Sequence, residues 1–266
     1  MTEPMLTLRT MANTWECDGN GHLNIQFYFG NFDDAGRVFA AAGWAPTDPL
    51  ISRHIRFHAE LHAEQDIIIR SKAVPAGVVH HMYTDDGARL SATAIDLHGA
   101  PTTFGIDDEA APRGLDIAPP EAADLTALLA TGEAVIANIA VVRPEQCDPQ
   151  RGMTDRHIVS CISNAAAAAW ALAGFDIAFR RQNGLGTVAV EMKVTAHERP
   201  SPGDILEIIS SPRAATSKIV RMHHCVRNRS TGRVAVTGDI VALLMDLKKR
   251  RTVSLPQDRL APWLRS

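Results

Sequence analysis

Cysteine is scarce in this sequence of 266 residues, and its four copies lie far apart. They are Cys17, Cys147, Cys161 and Cys225. None belongs to a C-x-x-C pair, so the sequence predicts neither a disulfide framework nor a zinc knuckle. Free thiols in a reducing cytoplasm fit this pattern best.

The sequence also lacks a segment typical of a signal peptide or a membrane span. The first nine residues include Glu3, Pro4 and Arg9 and have no apolar core. The uncharged run at 158–175 consists mostly of alanine, which contributes little to membrane insertion. We therefore expect a helix buried in a globular core, and a cytoplasmic protein without a membrane partner.

Charge of one sign is not in excess, because the formal net charge is only -3. This balance gives no reason to expect nucleic acid or an anionic membrane as a partner. The basic run at 248–251 is a weak candidate for contacting coenzyme A phosphates and is predicted to be solvated charge. Hydrophobic residues make up 45% of the chain, enough for a full core.

The first half of the chain predicts one strand, one helix and four further strands. Residues 6–14 are rich in β-formers. From Asn24 to Gly43, apolar residues recur at spacings of three and four, which predicts an amphipathic helix that Asn24 caps and Gly43 ends. Strands are then predicted at 54–62, 66–74, 78–84 and 88–98, with a hairpin turn at 85–87.

Histidines are frequent on these predicted strands. His54, His58 and His62 share one face of the first, and the pairs His80-His81 and His223-His224 lie on others. A metal site is conceivable, but no carboxylate-histidine motif accompanies them. We therefore predict a solvated polar face at these positions and no metal.

The second half repeats the order of elements found in the first. Residues 105–133 are rich in proline, acidic residues and alanine and predict a linker with one short helix at 122–130. A strand is predicted at 135–142, and a shift of 130 then places Cys147-Asp148 on Cys17-Asp18. A helix ending at Gly174 follows, with four strands at about 187–196, 205–211, 219–227 and 234–244. We predict a duplicated chain with domains at 1–104 and 134–266, joined by the linker.

A strand, a central helix and an antiparallel meander, present twice, resemble the α+β hot-dog fold in tandem. The segment from Asp18 to Asn24, with Asn20 and His22 at alternate positions, resembles the signature of hot-dog thioesterases of the 4-hydroxybenzoyl-CoA thioesterase type. It is also similar to the Asp-x-Asn-x-His core of plant acyl-ACP thioesterases. The motif lies between the first strand and the helix, as in that family.

This resemblance implies an acyl-CoA or acyl-ACP thioesterase without a cofactor or a metal. Asp18 would be the general base or the nucleophile, and His22 and Asn20 would orient or activate water. Glu60 lies in the region of a catalytic glutamate in the plant enzymes, although its spacing differs. Backbone N–H groups at the start of the helix would bind the thioester carbonyl, which also follows from the helix dipole; these belong to Gly21, Leu23, Asn24 and Ile25.

The sequence departs from the family pattern at two positions and loses the motif in the second half. The family often has a second asparagine after Asn24 and an acid two places before Asp18, and this sequence has Ile25 and Glu16 at these positions. In the second half Asp148 is retained, but Gly152 replaces the histidine. We therefore expect one active site per chain, with the second half supplying the partner surface; a homo-oligomer of such chains is left open.

Three alternatives stand beside this hypothesis. The chain could be a hot-dog enoyl-thioester hydratase or dehydratase, or a non-catalytic acyl-CoA-binding module. The Asp-Gly-Asn-Gly segment could also be a turn and helix cap without chemistry. Cys17 could attack a thioester, but Cys147 repeats it in the half that lacks the histidine, so a structural thiol is favoured.

Overall fold

The computed structural model describes residues 3–19, 21–44, 49–75, 77–99, 106–107, 109–116, 124–256 and 259. The chain divides into two compact units. The first contains Met1–Pro119 together with Thr154–Val159 and Lys193–Thr195. The second contains Pro120–Met153, Ser160–Met192 and Ala196–Ser266.

The first unit is one helix and a five-stranded antiparallel sheet. In chain order the elements are β1 (Met5–Met11), α1 (Ile25–Phe39), β2 (Leu50–Phe57), β3 (Asp66–Val74), β4 (Gly77–Thr84) and β5 (Arg89–His98). The strands lie side by side in the order β1-β3-β4-β5-β2. The predicted succession of one strand, one helix and four strands is confirmed.

Helix α1 forms where the apolar spacing predicts it. The Asn24 side chain caps the helix by accepting a hydrogen bond from the Gln26 amide at 3.3 Å. The apolar stripe is buried and packs against β1, β3 and β4; its buried members include Phe29, Phe32, Ala35 and Phe39. A turn of π-helix, Ala40–Trp44, follows, and Gly43 takes a left-handed conformation there (φ 93°).

The hairpin between β4 and β5 also follows the prediction. Asp85, Asp86 and Gly87 all have positive φ, a conformation that aspartate and glycine tolerate. The Asp66 carboxylate accepts hydrogen bonds from the Asp85 amide at 2.8 Å and the Asp86 amide at 3.0 Å. These bonds hold the turn against the start of β3.

The prediction of a strand over 54–62 was wrong at both ends, because β2 begins at Leu50 and stops at Phe57. The amides of His58 and Ala59 both donate to the carbonyl of Ser91, at 2.8 and 3.0 Å. Two residues opposite one is the geometry of a β-bulge, which bends the chain out of the sheet. The segment after the bulge, which contains Glu60 and His62, is thereby directed toward the turn before α1.

The prediction of a solvated polar face holds for His58 and His62, which are exposed, and is wrong for four other histidines. His54, His80, His223 and His224 are at most 4% exposed. Two of them have serine partners: Ser71 Oγ lies 2.6 Å from His80 Nδ1, and Ser210 Oγ lies 2.7 Å from His224 Nδ1. The alternation of polar and apolar residues therefore separates the two faces of a strand, but it does not show which face is exposed to solvent.

The second unit repeats the architecture of the first. Its elements are α2 (Leu125–Ala130), β6 (Val135–Val141), β7 (Cys147–Asp148), β8 (Gly152–Met153), α3 (Asp155–Leu172), α4 (Ile177–Gln182), β9 (Leu185–Ala196), β10 (Ile205–Ala215), β11 (Ile219–Asn228), β12 (Val234–Asp246) and β13 (Arg251–Thr252). Residues 155–159 of α3 and 193–195 of β9 belong to the first unit. The order β9-β12-β11-β10-β6 repeats that of the first unit, with β13 on β12. The sequence did not predict α4 or the short β7–β8 pair.

The alanine-rich helix α3 buries one face against its sheet, whereas Asn164, Ala167 and Ala171 are exposed. Ala169 and Trp170 pack with Val220 and Met222 of β11 and Leu244 of β12 in one apolar cluster. A helix with small side chains can approach a sheet closely. At Gly238 of β12, an added Cβ would lie only 2.7 Å from Ile162 Cδ1 of α3. Among the described residues, no helix is long and apolar enough to cross a membrane.

Each unit is thus a central helix packed on an antiparallel sheet with the same strand order. This is the predicted α+β tandem of hot-dog domains, and the fold prediction is confirmed. The domain boundaries at 104 and 134 stay predictions.

Candidate active site

The segment before α1 closes on itself as a small turn. The Asp18 amide donates to the His22 carbonyl at 2.8 Å, and the Gly21 amide donates to the Asp18 carbonyl at 2.9 Å. Gly21 has φ 77°, which a residue with a side chain rarely adopts. Cys17 and Leu23 pair as a β-bridge at the base of the turn. Asp18 and His22 are therefore opposite each other across the turn.

The Asp18 carboxylate is exposed and takes part in the turn. Its Oδ1 accepts a hydrogen bond from the His22 amide at 3.1 Å. This contact fixes the carboxylate next to the backbone of the histidine. Asn20, predicted to orient water, lies outside the described residues.

The structure brings His22 together with Glu60, which the sequence separates by 38 positions. His22 Nε2 lies 3.6 Å from Glu60 Oε2, and both side chains are largely buried, at 17% and 29% exposure. This separation is an ion-pair approach that is longer than a hydrogen bond, and a carboxylate in this place can orient the ring once the two groups draw together. The pair forms because the bulge after β2 directs Glu60 toward the turn.

His62 is also at this site, which the sequence did not predict. His22 and His62 form an isolated antiparallel bridge, flanked by the bonds from the Leu23 amide to Leu61 O (2.8 Å) and from the Ala63 amide to Gly21 O (3.2 Å). In this pattern the two residues are a non-hydrogen-bonded pair, whose side chains approach closely. The ring centroids lie 4.8 Å apart, in an edge-to-face arrangement.

Tyr28, in the second turn of α1, ties the helix to the segment that carries Glu60. Its hydroxyl oxygen accepts a hydrogen bond from the Leu61 amide at 3.3 Å, and its ring meets Phe57 edge-on with centroids 5.1 Å apart. Burial raises the pKa of Tyr28 to about 12, so the hydroxyl stays protonated at neutral pH. The position of Glu60 is therefore set by packing and hydrogen bonds.

The backbone amides at the start of α1 are mostly used inside the protein. The Gly21 amide bonds within the turn, the Leu23 amide bonds to Leu61 O, and the Asn24 amide bonds to Glu16 O at 2.9 Å. Of the four predicted carbonyl-binding residues, Ile25 is thus the one whose amide has no acceptor in the described part of the chain. It is the first residue of α1, where the helix dipole favours negative charge.

Cys17 stays protonated at this site. Burial, followed by the nearby carboxylates of Asp18 and Glu16, raises the pKa of its thiol. Its Sγ donates to the Asn13 carbonyl at 3.4 Å. Both observations favour a structural thiol over a nucleophile.

The second unit keeps the outline of the turn and changes its interior. Cys147 pairs with Met153 as Cys17 pairs with Leu23. However, Asp148 Oδ1 accepts from the amides of Gln150 and Arg151, at 2.8 and 3.0 Å, where Asp18 accepts from His22.

The left-handed residue of the second turn is Gly152 (φ 74°), which stands at the position of His22. A Cβ added to Gly152 would lie 2.8 Å from the Pro200 carbonyl oxygen. The turn thus has a different backbone conformation as well as different side chains. No imidazole accompanies Asp148 at the position of His22.

The basic run at 248–251 is exposed. The amides of Lys248 and Lys249 donate to Asp246 Oδ1 at 3.0 and 2.8 Å, and Lys249 Nζ lies 3.5 Å from Asp246 Oδ2. These are the contacts of a charged turn at the end of β12, which agrees with the prediction of solvated charge.

Comparison with known proteins agrees with this fold. A family model described as the thioesterase-like superfamily matches residues 142–264. By structure the chain is similar to a putative oleoyl thioesterase from Lactobacillus plantarum, with a TM-score of 0.65 and 13% identity over 96% of this chain and 98% of that one. It is also similar to an acyl-ACP thioesterase from Bacteroides thetaiotaomicron, with a TM-score of 0.60 and 13% identity over 88% and 96% of the two chains.

A sequence comparison with curated proteins found no match. The family match lies in the second unit, whereas the turn with Asp18 and His22 lies in the first. The two structural matches extend over both. Residues 142–264 thus match the thioesterase-like superfamily, and the structural matches show that the protein as a whole has the tandem hot-dog fold.

Proposed function

We propose that the protein hydrolyses an acyl thioester of coenzyme A or acyl-carrier protein at the turn between β1 and α1. The observation that carries this proposal is the 3.6 Å approach of His22 Nε2 to Glu60 Oε2, beside the Asp18 turn and at the N-terminus of α1. The site brings together the Asp18 carboxylate as base or nucleophile, the His22 imidazole with Glu60 beside it, and a helix N-terminus, and these groups suit acyl transfer to water. The acyl-ACP and oleoyl names of the two structural neighbours support this substrate class.

The reaction adds water to the thioester carbonyl and releases a thiol. In one route Asp18 removes a proton from water, the resulting hydroxide attacks the carbonyl carbon, and the thiolate leaves with a proton relayed by His22. In the other route the Asp18 carboxylate attacks first, forming an anhydride that water then cleaves. Both routes give one carboxylic acid and one thiol from one thioester and one water.

The charge that develops on the carbonyl oxygen needs a donor in either route. The amide of Ile25 is suited to this role, because it begins α1 and lacks an internal acceptor among the described residues. Glu60 would keep the imidazole of His22 in one orientation during the proton transfer. Asn20 would orient the attacking water, as the resemblance implies.

The proposal is tested by following thiol release from a panel of acyl-CoA and acyl-ACP substrates. We expect Asp18→Asn to lower kcat/KM by roughly a hundredfold or more, the usual contribution of a general base. Asp148→Asn is the matched control, since the same substitution is made in the turn without a histidine, and it should retain wild-type turnover. Absence of hydrolysis across the panel, or equal activity of Asp18→Asn and wild type, would refute the proposal.

Glu60→Gln tests the supporting pair separately. Because Glu60 would act through His22, the loss caused by Glu60→Gln and that caused by His22→Gln should not multiply in the double variant. Independent, multiplicative losses would show that the two residues do not act as one unit.

Two further measurements distinguish the alternatives stated from the sequence. A hydratase would change the absorbance of an enoyl thioester without releasing thiol. A binding module would bind the acyl-CoA in calorimetry and yield no product.

A further inference from the structure

Two imidazoles and one carboxylate converge next to the proposed catalytic turn. His22, Glu60 and His62 each present one ligand atom, and these three atoms lie within 4.8 Å of one another. It is the one such group of histidine, cysteine and acidic side chains that the described residues form. Two histidines and a glutamate are a common ligand set for zinc in proteins.

The distances suit a tetrahedral ion. Ligands at about 2.0–2.1 Å from zinc are separated from each other by about 3.3 Å, and His22 Nε2 and Glu60 Oε2 are already 3.6 Å apart. No two of the three atoms are more than 4.8 Å apart, so closing the group around an ion requires at most about 1.5 Å of movement. His62 is exposed and can supply this movement by rotating its side chain.

The backbone holds the two histidines on the same side of the chain. As a non-hydrogen-bonded antiparallel pair they are fixed by the Leu23–Leu61 and Ala63–Gly21 hydrogen bonds on either side. A metal would therefore meet two ligands that are positioned in advance, and the partial exposure of Glu60 leaves a path from solvent. A fourth position would be taken by water.

We propose that His22, Glu60 and His62 bind a divalent transition-metal ion of zinc type, and that the bound ion inhibits hydrolysis. Inhibition follows because the metal would occupy His22 Nε2 and a Glu60 oxygen, the two atoms that the proposed mechanism uses. The binding part depends only on the geometry of the three side chains. The inhibition part rests on the proposed function.

Binding is measured with Co²⁺, whose visible absorption bands report coordination geometry, on metal-free protein without a polyhistidine tag. We expect one saturable site per chain that Zn²⁺ displaces. His62→Gln should weaken binding by at least roughly tenfold, since even an outer-shell partner is worth that much. His58→Gln is the matched control, because His58 is also exposed but lies outside the cluster, and should bind as wild type does.

Inhibition is measured with Zn²⁺ for each variant relative to its own metal-free rate. In His62→Gln, we expect the zinc concentration that halves the rate to be higher than in wild type, by the same factor by which its Co²⁺ affinity is lower. In His58→Gln, we expect this zinc concentration to equal that of wild type. Absence of a saturable Co²⁺ band, or equal affinity of wild type and His62→Gln, would overturn the metal site. Co²⁺ binding by a protein that hydrolyses no thioester would leave the site standing and refute the proposed function instead.

Discussion

Arg53 and Asp96 form a bidentate ion pair inside the first unit. Arg53 Nε donates to Asp96 Oδ1 and Arg53 Nη2 to Asp96 Oδ2, both at 2.6 Å, and the side chains are 1% and 5% exposed. Arg53 Nη1 also donates to Asp155 Oδ2 at 3.0 Å and to the Phe29 carbonyl at 3.4 Å. One guanidinium thereby links β2 and β5 to α1, the helix at whose start the proposed active site lies.

The second unit has apolar residues at the matching positions. The paired amides of His197 and Glu198 bond to Ala235 as those of His58 and Ala59 bond to Ser91. Arg53 stands five residues before His58, and Asp96 five residues after Ser91; Met192 and Ile240 stand at the same distances from His197 and Ala235. The second unit therefore forms without a counterpart of this ion pair.

We expect Arg53→Met to destabilise the protein by about 3–5 kcal/mol, because it leaves buried carboxylates without their cation. Adding Asp96→Leu should recover part of this loss, since a buried pair replaced by apolar residues is often tolerated. Urea unfolding followed by circular dichroism measures both. A double variant that is less stable than Arg53→Met alone would contradict the expectation.

Ile25→Pro tests the proposed donor to the thioester oxygen. Proline is tolerated at the first position of a helix, and Asn24, with φ -67° and ψ 141°, already has the conformation that a residue before proline prefers. The substitution removes the amide hydrogen and should preserve the helix. We expect kcat to fall by roughly a hundredfold or more.

Ile25→Ala is the control for the lost side chain and should retain most of the activity. Circular dichroism checks that Ile25→Pro is folded. A folded Ile25→Pro protein with the kcat of Ile25→Ala would show that another group stabilises the oxyanion.

His223 and Asp239 should make stability depend on pH. His223 Nδ1 lies 2.7 Å from Asp239 Oδ1. Burial alone would lower the pKa of His223, but the hydrogen bond to Asp239 and the contact with Cys225 outweigh it and raise the pKa to about 9. A histidine whose pKa is raised on folding stabilises the folded state fully below its unfolded pKa of about 6.5, and this stability is lost as pH rises through about 9.

Asp239→Asn should therefore lower the free energy of unfolding most at pH 6, and the difference from wild type should shrink toward pH 9.5. Burial lowers the pKa of His224 to about 4, so His224 makes the folded state less stable as the pH falls. Both proteins contain His224, and comparing them at the same pH separates its effect from that of His223. Asp86→Asn, at the exposed β4–β5 turn, is the control. A difference between Asp239→Asn and wild type that does not change with pH would contradict the assignment.

The features that could be predicted from the sequence are those set by local patterns. The Asn24 cap, the buried face of α1 and the turn at Asp85–Gly87 each follow from residues close in the chain. The repetition of the whole pattern identified the tandem arrangement.

The features that could not be predicted depend on residues distant in sequence. The bulge that ends β2 requires Ser91 as a partner, and no spacing reveals the approach of His62 to His22. Period-two alternation cannot separate a solvated polar face from one buried with its own partners, so the burial of His54 was missed, and Arg53 lay outside the predicted strand. Glu60 was suggested only by the resemblance.

The backbone at Gly152 has an evolutionary consequence. A side chain there would face a strained positive φ and, at 2.8 Å, the Pro200 carbonyl oxygen. A single mutation that returns a histidine to this position would thus be opposed by the fold itself. The backbone of the second turn would have to change before an imidazole could be accommodated there, so conformation as well as sequence separates Asp148 from such a partner.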